Sequence, residues 1–119
     1  MKNFLAVYTG SPSGRQSWDR LDEQERKRRE AQGMKAWGDW MSTHQAAIVD
    51  SGGPLSRTKR VSVDGVTDVR NNLAAYVIVR AESHEAAARM FEGHPHFTLF
   101  PGDGVEIMEV LPIPGAPQR

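Results

Sequence analysis

The sequence predicts an α+β fold of the ferredoxin-like type, a sandwich with the element order β-α-β-β-α-β. Three observations carry this prediction: an alternating apolar run from Leu73 to Ala81, an Ala-rich helical segment after Ser83, and a closing strand from Gly104 to Pro112. Right-handed crossovers would place both helices on one face of a four-stranded antiparallel sheet.

Composition narrows the class of protein. A chain of 119 residues with 39% hydrophobic residues can form one core, and we expect a single domain over residues 1–115 followed by a short tail, 116–119. Fifteen basic residues balance fifteen acidic ones, which argues against nucleic acid or an anionic membrane as partner. No cysteine, signal peptide or long apolar span is present, so a cytoplasmic location is expected.

The first half of the chain is predicted to form a strand and a long helix. Lys2 to Thr9 is apolar at alternate positions on both faces, which indicates a strand covered on both sides. Ser17 is a suitable N-cap for a helix running to about Val49. Its charged part, residues 22–30, is expected to face solvent. Its second part carries an apolar face made of Met34, Trp37, Met41, His44 and Ile48.

The middle of the chain is predicted to supply the second strand. The segment Ser51-Gly52-Gly53-Pro54 is expected to end the long helix. Arg57 to Val63 is polar at most positions, which is typical of an edge strand. Asp64-Gly65 predicts a turn, and a polar loop is expected from there to Asn72.

The second half continues with the central strand and the second helix. Ser83 is expected to cap a helix with Ala87, Met90 and Phe91 on one face, and Gly93 and Pro95 to stop it. The predicted strands are apolar on both faces, whereas two helices cover only one. We therefore expect a second copy of the chain to cover the other face, in a homodimer.

Several motifs, taken in order, resemble the YCII-related family, including its branch called DGPF proteins. They cover most of the chain apart from residues 15–29 and the tail. The motifs are the N-terminal strand, Ala36-Trp37-Gly38-Asp39-Trp40-Met41, Val49-Asp50-Ser51-Gly52-Gly53-Pro54-Leu55, Ala75-Tyr76-Val77-Ile78-Val79-Arg80-Ala81-Glu82-Ser83, Glu85-Ala86-Ala87, Gly93-His94-Pro95-His96-Phe97 and Val105-Glu106-Ile107-Met108-Glu109-Val110.

The resemblance implies a dimeric α/β-barrel, in which two ferredoxin-like sheets face each other, and it implies no settled activity. Some family members carry a histidine on the first long helix, proposed as part of a His–Asp site. That position falls near Ala36 or Trp37 here, so the histidine is absent. The Asp-Gly-Pro-Phe signature is absent too, and Asp64-Gly65-Val66-Thr67 stands in roughly that region.

His94 and His96 are the first candidates for chemistry, because imidazole exchanges protons near neutral pH. Their spacing in an extended segment would point them to opposite sides, so that one of them faces a given pocket. The structural alternative is that one caps the preceding helix and the other packs beside Phe97. Two histidines without a third ligand do not make a zinc site, and we expect no metal and no cofactor.

The remaining candidates lie on the long helix and in the last loop. His44, Trp37 and Trp40 could border a ligand, although side chains on an apolar helix face more often belong to the core. Asp103 stands between glycines and could orient the His96 imidazole; turn chemistry explains this aspartate equally well.

Two functions therefore remain open. In the first, the chain is a small enzyme that transfers a proton on a small organic molecule. His96 would be the base, Asp103 would orient it, and Trp37 and Trp40 would line the pocket, with His44 and His94 as further ligand-binding residues. In the second, the homodimer is a non-catalytic module that binds a small molecule or docks a protein. The fold class hosts both kinds of function.

Overall fold

The computed structural model describes residues 1–115, and the predicted tail at 116–119 lies outside the described residues. A short 3-10 turn, Gln45–Ala47, precedes the second strand. In chain order the elements are β1 (Lys2–Gly10), α1 (Pro12–Asp19), α2 (Glu23–Thr43), β2 (Ile48–Pro54), β3 (Thr58–Ser62), β4 (Gly65–Val69), β5 (Leu73–Ala81), α3 (His84–Arg89), α4 (Pro95–Thr98) and β6 (Gly102–Glu109).

The predicted ferredoxin-like sheet is confirmed. Four strands pair in the order β2-β5-β1-β6, and each neighbouring pair is antiparallel. The central pair, β1 and β5, runs in continuous register from Lys2 opposite Ala81 to Tyr8 opposite Ala75. This is the strand order that two right-handed β-α-β units produce when the second is laid antiparallel to the first.

The long helix begins differently from the prediction. Ser11, not Ser17, is the first N-cap: its hydroxyl accepts the Gly14 N–H at 3.0 Å, and Pro12 follows as the first residue of α1. Helix α1 ends at Asp19. Asp22 then caps α2, because its side chain accepts the Glu25 N–H at 2.7 Å. The structure therefore has two helices in place of the one predicted from Ser17 to about Val49: α1 begins before the predicted start, and α2 ends before the predicted end.

The charged first half of α2 is mostly exposed, as predicted. Lys27 pairs with Glu23 at 3.2 Å, four residues apart. Asp22 is the N-cap of α2, and the Arg26 guanidinium donates to the carbonyls of Asp19 and Leu21. Arg26 therefore satisfies carbonyls at the end of α1, which no sequence pattern indicated.

The second strand of the sheet is formed by a different segment from the one predicted. The helix ends at Thr43, and the segment predicted to terminate it, Ser51 to Pro54, belongs to β2, which pairs with β5 at the edge of the sheet. Glycines and a proline fit there because an edge strand tolerates bulges and a missing N–H. Gly52 has φ +63°, and a Cβ at this position would collide with the Tyr76 carbonyl.

The segment predicted as the edge strand forms a separate hairpin. Arg57 to Val63 contains β3, which pairs with β4 in its own two-stranded sheet. The turn that closes this hairpin is Val63-Asp64, one residue before the predicted Asp64-Gly65, and Gly65 begins β4 with φ +103°. The polar loop expected after the turn is instead β4. β3 and β4 therefore add an outlying ribbon, and β2 completes the sheet.

The core lies between the sheet and the helices. Strand pleating turns Phe4, Ala6 and Tyr8 of β1 to the same side, and all three are buried. Trp40 of α2 and Ala87 of α3 pack into this cluster. On the opposite face of the sheet the pleat places Leu5, Val7, Ile78 and Met108; Met108 is 43% exposed.

No helix within residues 1–115 has both the length and the apolar character needed to cross a membrane.

Candidate functional site

A cleft of about 500 Å³ opens between α2 and the β2–β5 side of the sheet. The residues that border it are apolar or aromatic with few polar groups, and none is Asp, Glu, Lys or Arg. A cleft of this size accommodates a small organic molecule. Its lining includes Tyr8, Met34, Trp37, Met41, Ser51, Pro54, Ala75, Tyr76, Val77, His96 and Phe100.

Tyr8 stands at the centre of an aromatic cluster at the inner end of this cleft. Its ring centroid lies 4.9 Å from Trp37, 5.0 Å from His94 and 5.1 Å from His96. Tyr8 belongs to the helix-facing side of β1, so the pleat that buries Phe4 also turns the Tyr8 hydroxyl toward the helices. The strand thereby brings one polar group to an otherwise apolar surface.

His94 is fully buried and is held by both ring nitrogens. Its Nδ1 accepts the backbone N–H of His96 at 3.0 Å, which caps α4. Since a backbone N–H only donates, neutral His94 carries its proton on Nε2, and it donates that proton to the Tyr8 hydroxyl at 3.3 Å. Burial, and then the positive charges that His96 and His44 would carry, lower the pKa of His94 to about 4.

His96 lines the cleft and is held at one nitrogen. Its Nε2 donates to the Thr9 carbonyl at 2.7 Å, which leaves Nδ1 as the unprotonated nitrogen of the neutral ring. Burial lowers the pKa of His96, and the Thr9 carbonyl and the Asp103 charge oppose that shift. The ring fits there because residue 102 is glycine: a Cβ on Gly102 would collide with the His96 ring and carbonyl.

The two histidines do not lie in an extended segment. Pro95–Thr98 is the short helix α4, and both imidazoles pack against Tyr8, so the expected opposite orientation of the two rings is wrong. His94 caps the helix that follows it, not the one before. Of the pair, His96 borders the cleft, as expected of one of the two.

Asp103, the predicted carboxylate partner of His96, does not contact the imidazole through a hydrogen bond. Asp103 is exposed, and its negative charge acts on the His96 pKa, but among residues 1–115 it makes no hydrogen bond to the imidazole. The Thr9 carbonyl takes that position. A backbone oxygen therefore orients the ring, and it is held in place by strand pairing.

The predicted residues of the long helix separate into two groups. Trp37 borders the cleft and meets His94 edge-on, with ring centroids 4.6 Å apart. Trp40 is a core residue whose indole N–H donates to the Met90 carbonyl at 2.9 Å. His44 is the C-cap of α2 and lies against Trp40, with ring centroids 4.6 Å apart. Neither Trp40 nor His44 lines the cleft.

The cleft is also bordered by three residues that the sequence patterns do not predict: Tyr8, Tyr76 and Phe100. For Tyr8 a signal was present: it is the polar-tipped residue on the alternating face that also holds Phe4 and Ala6. No local signal marks Phe100, whose ring lies against the helix at Gly33, where a Cβ would strike it.

A second, smaller pocket of about 220 Å³ lies beside α1, bordered by Trp18, Leu21, Arg29 and Phe100. Its cation is already paired, since Arg29 Nε lies 3.0 Å from Glu25. Within residues 1–115, no three side chains of the metal-ligating types come together. The larger cleft, which is bordered by Tyr8 and His96 with His94 buried behind them, is therefore the candidate site.

Comparisons with known proteins support the fold. No protein-family model matches the chain, and no curated protein matches it. Among solved structures, it is similar to the 5-chloro-2-hydroxyhydroquinone dehydrochlorinase of Burkholderia phenoliruptrix in complex with 2,5-dihydroxybenzoquinone. The TM-score is 0.52 at 17% identity, over 89% of this chain and 90% of that chain. This similarity shows a shared α+β fold across nearly the whole length of both chains.

Proposed function

We propose that this chain is a small enzyme related to the YCII family and that it transfers a proton on a small organic molecule bound in the cleft. The observation that carries the proposal is the state of His96. Its Nε2–H is committed to the Thr9 carbonyl, so its Nδ1 lone pair is the basic atom of a residue that borders the cleft. A fixed tautomer and a fixed ring plane are what a general base needs.

The electrostatics of His96 suit a base at neutral pH. Burial lowers its pKa, so the imidazole is neutral and able to accept a proton at pH 7. When it is protonated, the Thr9 carbonyl and the Asp103 charge stabilise the imidazolium. Asp103 thus supports the base through its field, in place of the direct contact expected from the sequence.

The shape of the cleft favours a planar substrate. Trp37 and Phe100 provide aromatic surfaces around the opening, and flat rings stack or pack edge-on against such surfaces. The similar dehydrochlorinase structure holds 2,5-dihydroxybenzoquinone, a molecule with one six-membered ring. A ligand of that size is compatible with about 500 Å³.

Deuterium exchange into model ketones tests this function. Small ketones, acetophenone among them, are incubated with the protein in D2O, and loss of the proton signal next to the carbonyl is followed by NMR. We expect exchange above the buffer rate, and loss of that excess in His96→Gln, whose amide can still donate to Thr9. His44→Gln, outside the cleft, is the matched control and should retain it. Exchange that is unchanged in His96→Gln would refute His96 as the base.

The alternative is a non-catalytic module that binds a small molecule. The lining of the cleft supports a binding module, because most of its surface is apolar and a binding site needs no base. Under this alternative the same ketones bind but exchange no faster than in buffer, in the wild-type protein and in both variants.

We also infer that the chain acts as a homodimer, with the uncovered sheet faces of two copies packed together. Leu5, Ile78 and Met108 on that face are apolar and lie opposite the helices. A sheet with one unpacked apolar face is stabilised by covering it. The resemblance to dimeric α/β-barrels points to the same assembly.

A further inference from the structure

The Tyr8 hydroxyl is a hydrogen-bond donor in the cleft lining, and its orientation is fixed by His94. Tyr8 accepts a hydrogen bond from His94 Nε2–H, and that direction is set because His94 Nδ1 is occupied by the His96 backbone N–H. The Tyr8 hydroxyl hydrogen must therefore point elsewhere. Among residues 1–115, no side chain or carbonyl accepts this hydrogen, and Tyr8 borders the cleft.

The Tyr8 phenol and the His94 imidazole Nε2 both keep their protons over the physiological pH range. Burial raises the pKa of Tyr8 far above its ordinary value, so the phenol stays protonated. The pKa of His94 is about 4, so the imidazole stays neutral and keeps Nε2 as its donor. The Tyr8 hydroxyl therefore has a hydrogen, not a lone pair, available on the side away from His94.

The charge of the lining restricts the ligand in a second way. No Lys or Arg borders the cleft, and His96 is neutral at pH 7. Moving a carboxylate or phosphate from water into this apolar space would leave its charge uncompensated, which is strongly unfavourable. A neutral ligand incurs no such cost.

We propose that the cleft selects an uncharged, planar ring carrying a carbonyl oxygen, and that this oxygen accepts a hydrogen bond from the Tyr8 hydroxyl. The inference rests on the proposed function, since it names the substrate class of the same cleft. With the carbonyl on Tyr8, an adjacent C–H can face His96 Nδ1, and the tyrosine stabilises the oxygen on which negative charge develops when the proton leaves.

Three small probes of nearly the same shape test the ligand class. Acetophenone is neutral and has the carbonyl; α-methylstyrene is neutral and lacks it; benzoate has the oxygens and a negative charge. Binding is measured from amide shifts of cleft residues such as Trp37 and Tyr76 in 15N-labelled protein. We expect acetophenone to bind about fivefold more tightly than α-methylstyrene, the value of one ordinary hydrogen bond. Benzoate should bind more weakly than either.

The variant Tyr8→Phe then isolates the donor. It should abolish the preference for acetophenone over α-methylstyrene while α-methylstyrene still binds. If this variant does not fold, the comparison of the three probes on the wild-type protein still decides the matter. Equal binding of ketone and alkene, tighter binding of benzoate, or the absence of cleft shifts with all three probes would overturn the proposal.

The outcomes separate this inference from the proposed function. A clear preference for acetophenone without catalysed deuterium exchange would refute the enzyme and leave the ligand class standing. Catalysed exchange that depends on His96 but shows no preference for the ketone in binding would refute the ligand class alone.

Discussion

Gly102→Ala tests whether the position of His96 depends on close contact with the start of β6. A Cβ at residue 102 would collide with the His96 ring and with the His96 carbonyl oxygen. Gly104 lies on the same strand, two residues on, and a Cβ there would meet Thr9 Oγ1 at 3.9 Å, an ordinary contact. Gly104→Ala is therefore a matched control with the same chemical change and no collision.

The expected loss can be estimated from two contributions. Forcing an extra methyl group into a packed site costs about 1–3 kcal/mol. If His96 moves to relieve the collision, its buried hydrogen bond to the Thr9 carbonyl is lost, at about 1–3 kcal/mol. Because relief of the collision costs the hydrogen bond, only one of the two contributions applies in full, and we expect a net destabilisation of about 1–3 kcal/mol. The control should be neutral or stabilised by up to about 1 kcal/mol, because alanine restricts the unfolded chain.

Urea unfolding followed by circular dichroism measures both variants under the same conditions, with the slope of the transition checked for each. The deuterium exchange assay then shows whether a displaced His96 also loses its role as a base. Two variants of equal stability would show that the His96 ring does not lie against residue 102, and the geometry on which the proposed base depends would be refuted.

Three further predictions follow from the packing and the charges. Gly33→Ala would drive a Cβ into the Phe100 ring and should cost about 1–3 kcal/mol in urea unfolding. Gly38→Ala, in the same helix with open space around it, should stabilise by about 0.5–1 kcal/mol, and a reversed order would contradict the packing. Stability should fall as the pH drops from about 6.5 to about 4, because His94 binds its proton in the unfolded state at 6.5 but in the folded state only near 4. The full loss from this residue is about 3 kcal/mol, and His94→Asn, which can still cap α4, should flatten the profile; an unchanged slope would count against a buried neutral imidazole. Ile78→Glu on the uncovered sheet face should convert a dimer of twice 13.2 kDa into a folded monomer in sedimentation equilibrium, and a wild-type monomer at micromolar concentration would exclude the dimer.

Much of the fold could be predicted because its signals are local. The alternation from Leu73 to Ala81 matches β5 residue for residue. Ser83 caps α3, as its position before an Ala-rich segment predicts. Gly93 has φ +68°, which glycine adopts without strain, although α3 ends earlier than predicted, at Arg89. Each of these features is decided within a few residues of sequence.

The second strand could not be predicted in the same way. The segment Ser51 to Pro54 carries helix-ending residues, and the same residues suit an irregular edge strand. Which of the two forms depends on β5 being available as a partner, and that pairing spans a long stretch of chain. Arg57 to Val63 forms a ribbon with its sequence neighbour instead, because a two-residue turn makes that pairing local.

The candidate site, too, could be predicted only where its signals are local. Local patterns were enough to place His94 and His96 after a helix stop and Trp37 on an apolar helix face. The folded chain was needed to show that Tyr8 receives a hydrogen bond from His94, 86 positions away, and that the Thr9 carbonyl, not Asp103, orients His96. Periodicity and capping report on contacts within a turn or a strand. The partner of a buried imidazole is chosen by strand pairing and helix packing across the whole chain, and no local pattern encodes it.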